Sequence, residues 1–141
     1  MYEILITKVK ETLLSVENVK DVFSGPKTKL TKFPSVFFSP SGFTNTFETQ
    51  RENFAVYRFL ALVLVGTNAS LTVSQAFEQV LPHTVDAIIN KFNAEWNLGT
   101  IDGHRCWVKI DSIDAWRVSE EEDGLIAYAP LNIEIKLLTE N

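Results

Sequence analysis

The segment NFAVYRFLALVLV, residues 53–65, decides the fold of this chain. It is rich in Val, Leu, Phe and Tyr, which is the composition of a β-strand, and from Phe59 onward every residue is apolar. Successive side chains of a strand point to opposite faces, so both faces of this strand are apolar and both need cover. We therefore expect a helix against one face and a second layer or a partner subunit against the other.

Two amphipathic helices are predicted on either side of this strand. Apolar residues recur at helical spacing roughly over Met1–Phe23 and again roughly over Ser70–Trp96. Thr72 is a candidate N-cap of the second helix, because Gln75 follows three residues later as in a capping box. Pro82 lies inside the second helix, where it removes one backbone hydrogen bond and should kink or split the helix.

Three further segments have the pattern of strands. Ser35–Phe38 is a short strand, and Arg105–Val118 alternates until a slip near Asp111-Ser112 that indicates a β-bulge. Gly124–Leu138 alternates most regularly, although Pro130 lacks an amide hydrogen and predicts an edge or a bulge at that point. Its inward residues are Leu125, Ala127, Ala129, Leu131, Ile133, Ile135 and Leu137, and its outward residues are Ile126, Tyr128, Asn132, Glu134 and Lys136.

This order of helix, strands, helix and strands predicts an α+β fold. We expect a mostly antiparallel sheet of about four to five strands, with two main helices packed on one face. A chain of 141 residues with 45% hydrophobic residues is long and apolar enough for one domain with its own core, residues 1–141.

Charge, cysteine content and hydropathy exclude several classes of protein. A net charge of −5 argues against nucleic-acid binding as the main role, because such binding needs an excess of Lys and Arg. The single cysteine, Cys106, excludes an intramolecular disulfide and is typical of a reducing cytoplasm. The N-terminus lacks the pattern of a signal peptide. The longest apolar run, Phe59–Gly66, is too short to span a bilayer, so no membrane contact is expected.

No pattern in the sequence predicts a catalytic, cofactor or metal site. His104 and Cys106 share a face if the strand is regular, and Asp111 and Asp114 follow, but their spacing fits no zinc site. Cys106 belongs to an apolar alternation and is expected to be a buried, unreactive thiol rather than a nucleophile.

Two segments between the elements have candidate contact residues. Lys27, Lys29 and Lys32 form a basic strip, either a solvated connector or a contact for an acidic partner. Phe43 and Phe47 stand in the polar stretch 39–53, which is either an arm of two strand extensions or a mobile loop. Each aromatic side chain either folds back onto the body or anchors a neighbouring chain.

The last hairpin contributes two more candidate surfaces. The outward Ile126 and Tyr128 offer apolar area between subunits. The turn before them is strongly acidic and is expected to be fully solvated. Its residues are Glu120, Glu121, Glu122 and Asp123.

Four segments together resemble the tail terminator, or tail completion, proteins of long-tailed bacteriophages. They are Glu52–Phe59 after the polar arm, Val85–Ile89 in the second helix, the turn Trp96–Gly103, and Tyr128–Ile135 in the last strand. The resemblance covers nearly the whole chain, but it is one of layout and loose pattern, because the family has no invariant catalytic signature.

The resemblance implies a structural virion protein rather than an enzyme. Such proteins are made in the host bacterial cytoplasm and become part of the virion tail. They form a ring, usually a hexamer, that caps the tail tube, ends its polymerisation and meets the neck or head-completion proteins. DNA meets the ring only in transit through its lumen, no cofactor is implied, and the acidic tip is a hypothetical lumen-facing element.

Two other functions remain open from the residues. One is another component of the same machine, such as a head–tail stopper or a tube-like protein. The other is a small cytoplasmic enzyme or ligand-binding domain built around His104, Asp111 and the tryptophans. A pocket at His104 that holds a metal or cofactor would distinguish it from both structural roles.

Overall fold

A computed structural model describes residues 1–25, 32–47, 52–67, 71–98, 101–121 and 124–140. The predicted contact residues Lys27, Lys29, Glu122 and Asp123 lie outside these ranges. The helical elements are α1 (Tyr2–Leu14), α2 (Val73–Gln75) and α3 (Leu81–Ala94). The strands are β1 (Asp21–Phe23), β2 (Ser35–Phe47), β3 (Glu52–Gly66), β4 (Arg105–Ile113), β5 (Arg117–Glu121) and β6 (Gly124–Glu140).

The predicted α+β class is confirmed, but the sheet has six strands rather than four to five. Its order is β1-β2-β3-β6-β4, and β5 pairs with the other end of β6 beside β4. All pairs are antiparallel except β1 with β2. The first extra strand, β1, has only three residues and leaves no alternation for sequence reasoning to detect. The second arises because the predicted strand Arg105–Val118 is divided into β4 and β5.

Pro130 accounts for the interruption between β4 and β5. Its carbonyl oxygen accepts a hydrogen bond of 3.0 Å from the backbone N–H of Asp114. In an antiparallel ladder the N–H and C=O of one residue point to the same neighbour, so the missing N–H of Pro130 would also have pointed to this side. Residues 114–116 are accordingly outside any strand, while Ile113 pairs with Leu131 and Arg117 with Tyr128. The predicted bulge is also present, between Ile110 and Ser112.

The first helix is shorter than its apolar pattern indicated. It ends at Leu14, and the expected helical continuation to Phe23 is wrong, because Asp21–Phe23 is strand β1. The apolar residues of this stretch, Val16, Val19 and Val22, are all buried. They are β-branched and favour extended backbone. Their spacing of three residues fits a helix, but it also fits the non-helical backbone that the structure shows.

The second helix is irregular next to its proline, where a kink or a split is expected. A five-residue π-helical segment, Ala76–Val80, joins α2 to α3, and Pro82 lies in the first turn of α3. A π-turn shifts the hydrogen bonds by one residue, which accommodates the missing donor of Pro82. The expected capping box is also present. Gln75 N–H donates to Thr72 Oγ1, and Thr72 N–H donates to Gln75 Oε1.

The two faces of the sheet differ in what covers them. Odd-numbered residues of β3 and β6 point to the face that packs against α1 and α3, here called the helix face, and form the core with buried residues of both helices. Even-numbered residues point to the opposite face, here called the open face, on which no described helix or strand packs. The predicted alternation of β6 is confirmed from Ala127 to Leu137.

The helix face predicts which phenylalanines stabilise the fold. Phe59 is fully buried and its ring lies 6.2 Å from that of Phe38, so Phe59→Ala should lower the free energy of unfolding by about 3–5 kcal/mol. Phe47 is 66% exposed, so the matched change Phe47→Ala should cost no more than about 0.5 kcal/mol. Urea denaturation of both variants measures the difference, and equal losses would contradict this description of the core.

Candidate interaction surfaces

The outer edge of β2 is open along most of the strand. β1 pairs only with Ser35–Phe37, and no other described strand pairs with the outer side of β2 from Phe38 to Phe47. The described part of the predicted polar arm, residues 39–47 and 52–53, is therefore strand and continuous with the sheet, because β3 beside it also pairs with β6 up to Glu52↔Glu140. Phe43 and Phe47 are 50% and 66% exposed, as an anchor for another chain would be.

An exposed aromatic cluster lies beside this edge on the helix face. The ring of Tyr57 is 5.0 Å from that of Phe43 and 4.9 Å from that of Tyr2 at the start of α1. Burial, and then the charge of Tyr2, raise the pKa of the Tyr57 hydroxyl above its usual value. Met1 and Ile4 are also exposed at this helix end, so the cluster forms an apolar patch next to the free strand edge.

The open face is apolar at the end of the sheet that lies away from this patch. Leu62 is paired with Phe37 on one side and Pro130 on the other, and Leu64 is paired with Tyr128. Ile126 lies next along β6, opposite Gly66. We call Phe37, Leu62, Leu64, Ile126 and Tyr128 the apolar end of the open face, and all five are half-buried. Helices cover the first face of β3, as predicted. On the second face the ring of Phe33 lies against Gly66, and no described helix or strand forms a second layer.

A charged belt crosses the middle of the open face. Arg58, Glu134 and Lys109 occupy paired positions on β3, β6 and β4, and Lys109 Nζ lies 3.4 Å from Asp111 Oδ1. Arg58 Nη1 also donates to Thr44 Oγ1 at 2.8 Å. A shallow depression of about 130 Å³ adjoins this belt. Its lining residues are Ser41, Arg58, Asp111, Ser112, Asn132, Ile133 and Glu134.

The other end of the open face is apolar but capped by cations. Phe54 and Trp107 meet edge to face with 6.2 Å between ring centroids. Lys136 Nζ lies 4.1 Å from the Phe54 ring centroid, and the Arg105 guanidinium lies 5.7 Å from that of Trp107. Long cationic side chains of this kind cover aromatic surface with a hydrated head group. The apolar end is thus the part of the open face best suited to a protein contact.

The predicted contact residues therefore lie on separate surfaces. Phe43 and Phe47 lie on the helix face, whereas Ile126 and Tyr128 lie on the open face at the opposite end of the sheet. Lys32 is exposed, and Glu120 is exposed on β5, where its backbone pairs with Leu125. These positions are compatible with contact roles, which remain hypotheses.

The residues considered for chemistry do not converge. Asp111 is seven residues beyond His104, so at about 3.4 Å per residue the extended backbone between them spans roughly 24 Å. Trp107 packs on Phe54, Trp116 stacks on Phe77, and Trp96 is exposed. In the part of the chain that the structure describes, no three His, Cys, Asp or Glu side chains are grouped to hold a metal ion.

Comparison with protein-family models gives no match, and comparison with curated proteins gives none either. No helix within the described ranges is long and apolar enough to cross a membrane.

Two features of these surfaces have no local signal in the sequence. The uncovered length of the β2 edge depends on β1 being only three residues long, which periodicity does not reveal. The contact of Lys136 with the Phe54 ring depends on the register between β3 and β6, which are far apart in the sequence. The even-numbered apolar residues of β3 and the outward Ile126 and Tyr128 of β6 are the sequence signals that point to the open face.

Cys106 gives a prediction about reactivity and pH. Burial raises the pKa of its thiol from 9.0 to about 11, so the folded protein disfavours the thiolate. The thiol should react slowly with a disulfide reagent at pH 8 in the native protein and rapidly after denaturation.

The same shift predicts how stability depends on pH. The pKa of the Cys106 thiol is higher in the folded protein than in the unfolded chain, so the neutral thiol stabilises the folded state. This contribution is complete below about pH 9 and is lost as the pH rises toward 11. Cys106→Ala removes this contribution, so its loss of stability between these pH values should be smaller than that of the wild type in urea titrations. Identical pH dependence in both proteins would contradict the assignment.

Proposed function

We propose that this chain is the subunit of a homo-oligomeric ring that caps the tail tube of a long-tailed bacteriophage. In this role it ends tube polymerisation and joins the tail to the neck or head-completion protein. The protein acts by binding other proteins, with no chemical step. The resemblance of its sequence to tail terminator proteins supplies the identity of the assembly, and six subunits is the number that this resemblance implies.

The observation that carries the proposal is the apolar end of the open face. An alternating strand in a monomer would place polar residues on this face, whereas Leu62, Leu64 and Ile126 present aliphatic surface there. Apolar residues gathered on a face that no described helix or strand covers are typical of a surface that another protein covers. In a ring, the apolar end of every subunit is covered by a neighbour. This is because each heterologous contact joins one surface of a subunit to a different surface of the next.

The remaining surfaces have compatible roles in such a ring. The charged belt of Arg58, Glu134 and Lys109 borders the apolar end as the polar rim of a protein interface does. The acidic tip, of which Glu120 is exposed, would repel a DNA backbone if it faced the lumen. Phe43 and Phe47 remain available for the tube or another subunit.

Imaging and tube capping test the proposal directly. The purified protein should form rings in negative-stain micrographs and should bind one end of the tail tubes of its phage, stopping their elongation when tube subunits are added. A protein that stays monomeric, forms no rings and leaves tube growth unchanged would overturn the proposal. Binding at the neck without effect on elongation would favour the stopper role instead.

A substitution at the apolar end identifies the surface. Tyr128→Lys places a charge among half-buried apolar side chains without touching the buried helix face, so rings should be lost while the circular dichroism spectrum is retained. Asn90→Lys adds the same charge at an exposed position of α3 and should leave the rings intact. Size-exclusion chromatography with light scattering measures both, and rings that survive Tyr128→Lys would exclude this face as the contact.

A further inference from the structure

The free edge of β2 ends in a palindromic sequence. Residues 43–47 read Phe-Thr-Asn-Thr-Phe, the same in both directions, and all five are exposed. These residues pair with β3 on their inner side, from Phe43↔Tyr57 to Phe47↔Asn53, and with no described strand on their outer side. We call them the edge segment.

Natural sheet edges are usually protected against strand addition by charged residues, proline or a bulge. β2 has such protection only in its first half, where Pro40 lies at a register shift before Gly42. The edge segment has no charge, no proline and no irregularity, and two of its five side chains are aromatic. The edge segment is therefore the part of the β2 edge that lacks protection against the addition of a strand.

We propose that the edge segment binds the edge segment of a second copy of this chain, antiparallel and about a two-fold axis at Asn45. A two-fold contact requires a surface that is complementary to itself. The palindrome supplies this, because centring the pair on Asn45 places Phe43 of each copy opposite Phe47 of the other and Thr44 opposite Thr46. Aromatic pairs and threonine pairs are among the favourable cross-strand neighbours in antiparallel sheets.

The side chains fall on the correct faces for this contact. Phe43, Asn45 and Phe47 alternate onto the helix face, so the four phenylalanines of the two copies lie together on that face. On that face the ring of Tyr57 contacts the rings of Phe43 and Tyr2, so the aromatic surface extends from the proposed contact to the start of α1. The threonines lie on the open face, where Thr44 accepts a hydrogen bond from Arg58.

The opposite edge of the sheet is a weaker candidate for the added strand. On β4, the Val108 N–H already donates to the carbonyl oxygen of Trp96 at 2.6 Å, so part of that edge is occupied. β5 beside it has the charged residues Arg117 and Glu120. Neither strand repeats the pattern of the edge segment, whereas the edge segment matches itself at every position.

The length of the edge segment sets the strength of the contact. Five residues per copy, even with the aromatic surface, fall short of the standard interface of about 1,600 Å². We therefore expect reversible association in the micromolar range rather than a permanent dimer. The contact does not depend on the proposed phage role, since it leaves the open face and the β4–β5 edge free.

Charge substitution at the two-fold axis gives the sharpest test. In the proposed dimer, Asn45 of one copy faces Asn45 of the other. Asn45→Lys and Asn45→Glu each place two like charges together, so each should weaken self-association at least tenfold. Sedimentation equilibrium at concentrations up to roughly 200 µM measures this association. An equimolar mixture of the two variants should associate at least as strongly as the wild type. Only a position that meets itself gives loss in both variants and recovery on mixing.

Matched controls separate this effect from damage to the monomer. Asn45 Oδ1 accepts a hydrogen bond from Asn53 Nδ2, which Asn45→Ser removes without adding charge, so that variant should retain most of the association. Asn90→Lys should associate like the wild type.

A cross-link supplies a second, geometric measurement. Facing residues of an antiparallel pair have Cα atoms about 4.5–5.5 Å apart, within the range of a disulfide. In a Cys106→Ala background, Asn45→Cys should form a covalent dimer on mild oxidation, and Asn90→Cys should not. A monomeric wild type at the highest concentration, a mixture that associates no better than either charged variant, or an Asn45→Cys variant that forms no covalent dimer would each overturn the proposal.

Discussion

The pairing of β3 with β6 is the constraint on which the other elements of the structure depend. It runs from Glu52↔Glu140 to Gly66↔Ile126 without a register shift. In such a pair a slip of one residue would exchange the two faces of a strand, and here that would move Phe59, Ala61 and Val63 out of the core. The helices bury the odd-numbered side chains of β3 and β6. The same register turns the even-numbered side chains to the open face. The packing of the core and the composition of the open face are thus two consequences of one ladder.

The irregularities of the sheet all occur away from that ladder. β2 shifts register between Pro40 and Gly42, β4 shifts between Ile110 and Ser112, and the β4–β5 strand is interrupted opposite Pro130. Pro130 remains compatible with the ladder because its missing donor points to β4 and β5 rather than to β3. The disturbances fall on β2, β4 and β5, each of which has a length of edge that no described strand pairs with. This division keeps the core regular while giving the two sides of the sheet different edges.

Sequence reasoning captured the parts of the structure that depend on local pattern. β3, the alternation of β6, the capping box at Thr72 and the disturbance at Pro82 follow from residue type and spacing within a few positions. It missed β1 because a three-residue strand has no period, and it extended α1 because Val16 and Val19 satisfy a helical spacing. The sequence does not decide whether Phe43 and Phe47 are exposed, since that depends on which strand lies beside β2. Distant pairing, not residue type, decides that question.

The separation of the two contact surfaces has a consequence for assembly. The edge segment and the apolar end of the open face lie at opposite ends of the sheet and on opposite faces, so a protein bound to one leaves the other free. A two-fold contact alone stops at a dimer, and a heterologous contact alone closes a ring or extends as a filament. A chain that made both of the proposed contacts would build an assembly in which rings or ring halves are joined about two-fold axes. Because the two surfaces are separate, the edge contact would form whether or not the apolar end is covered.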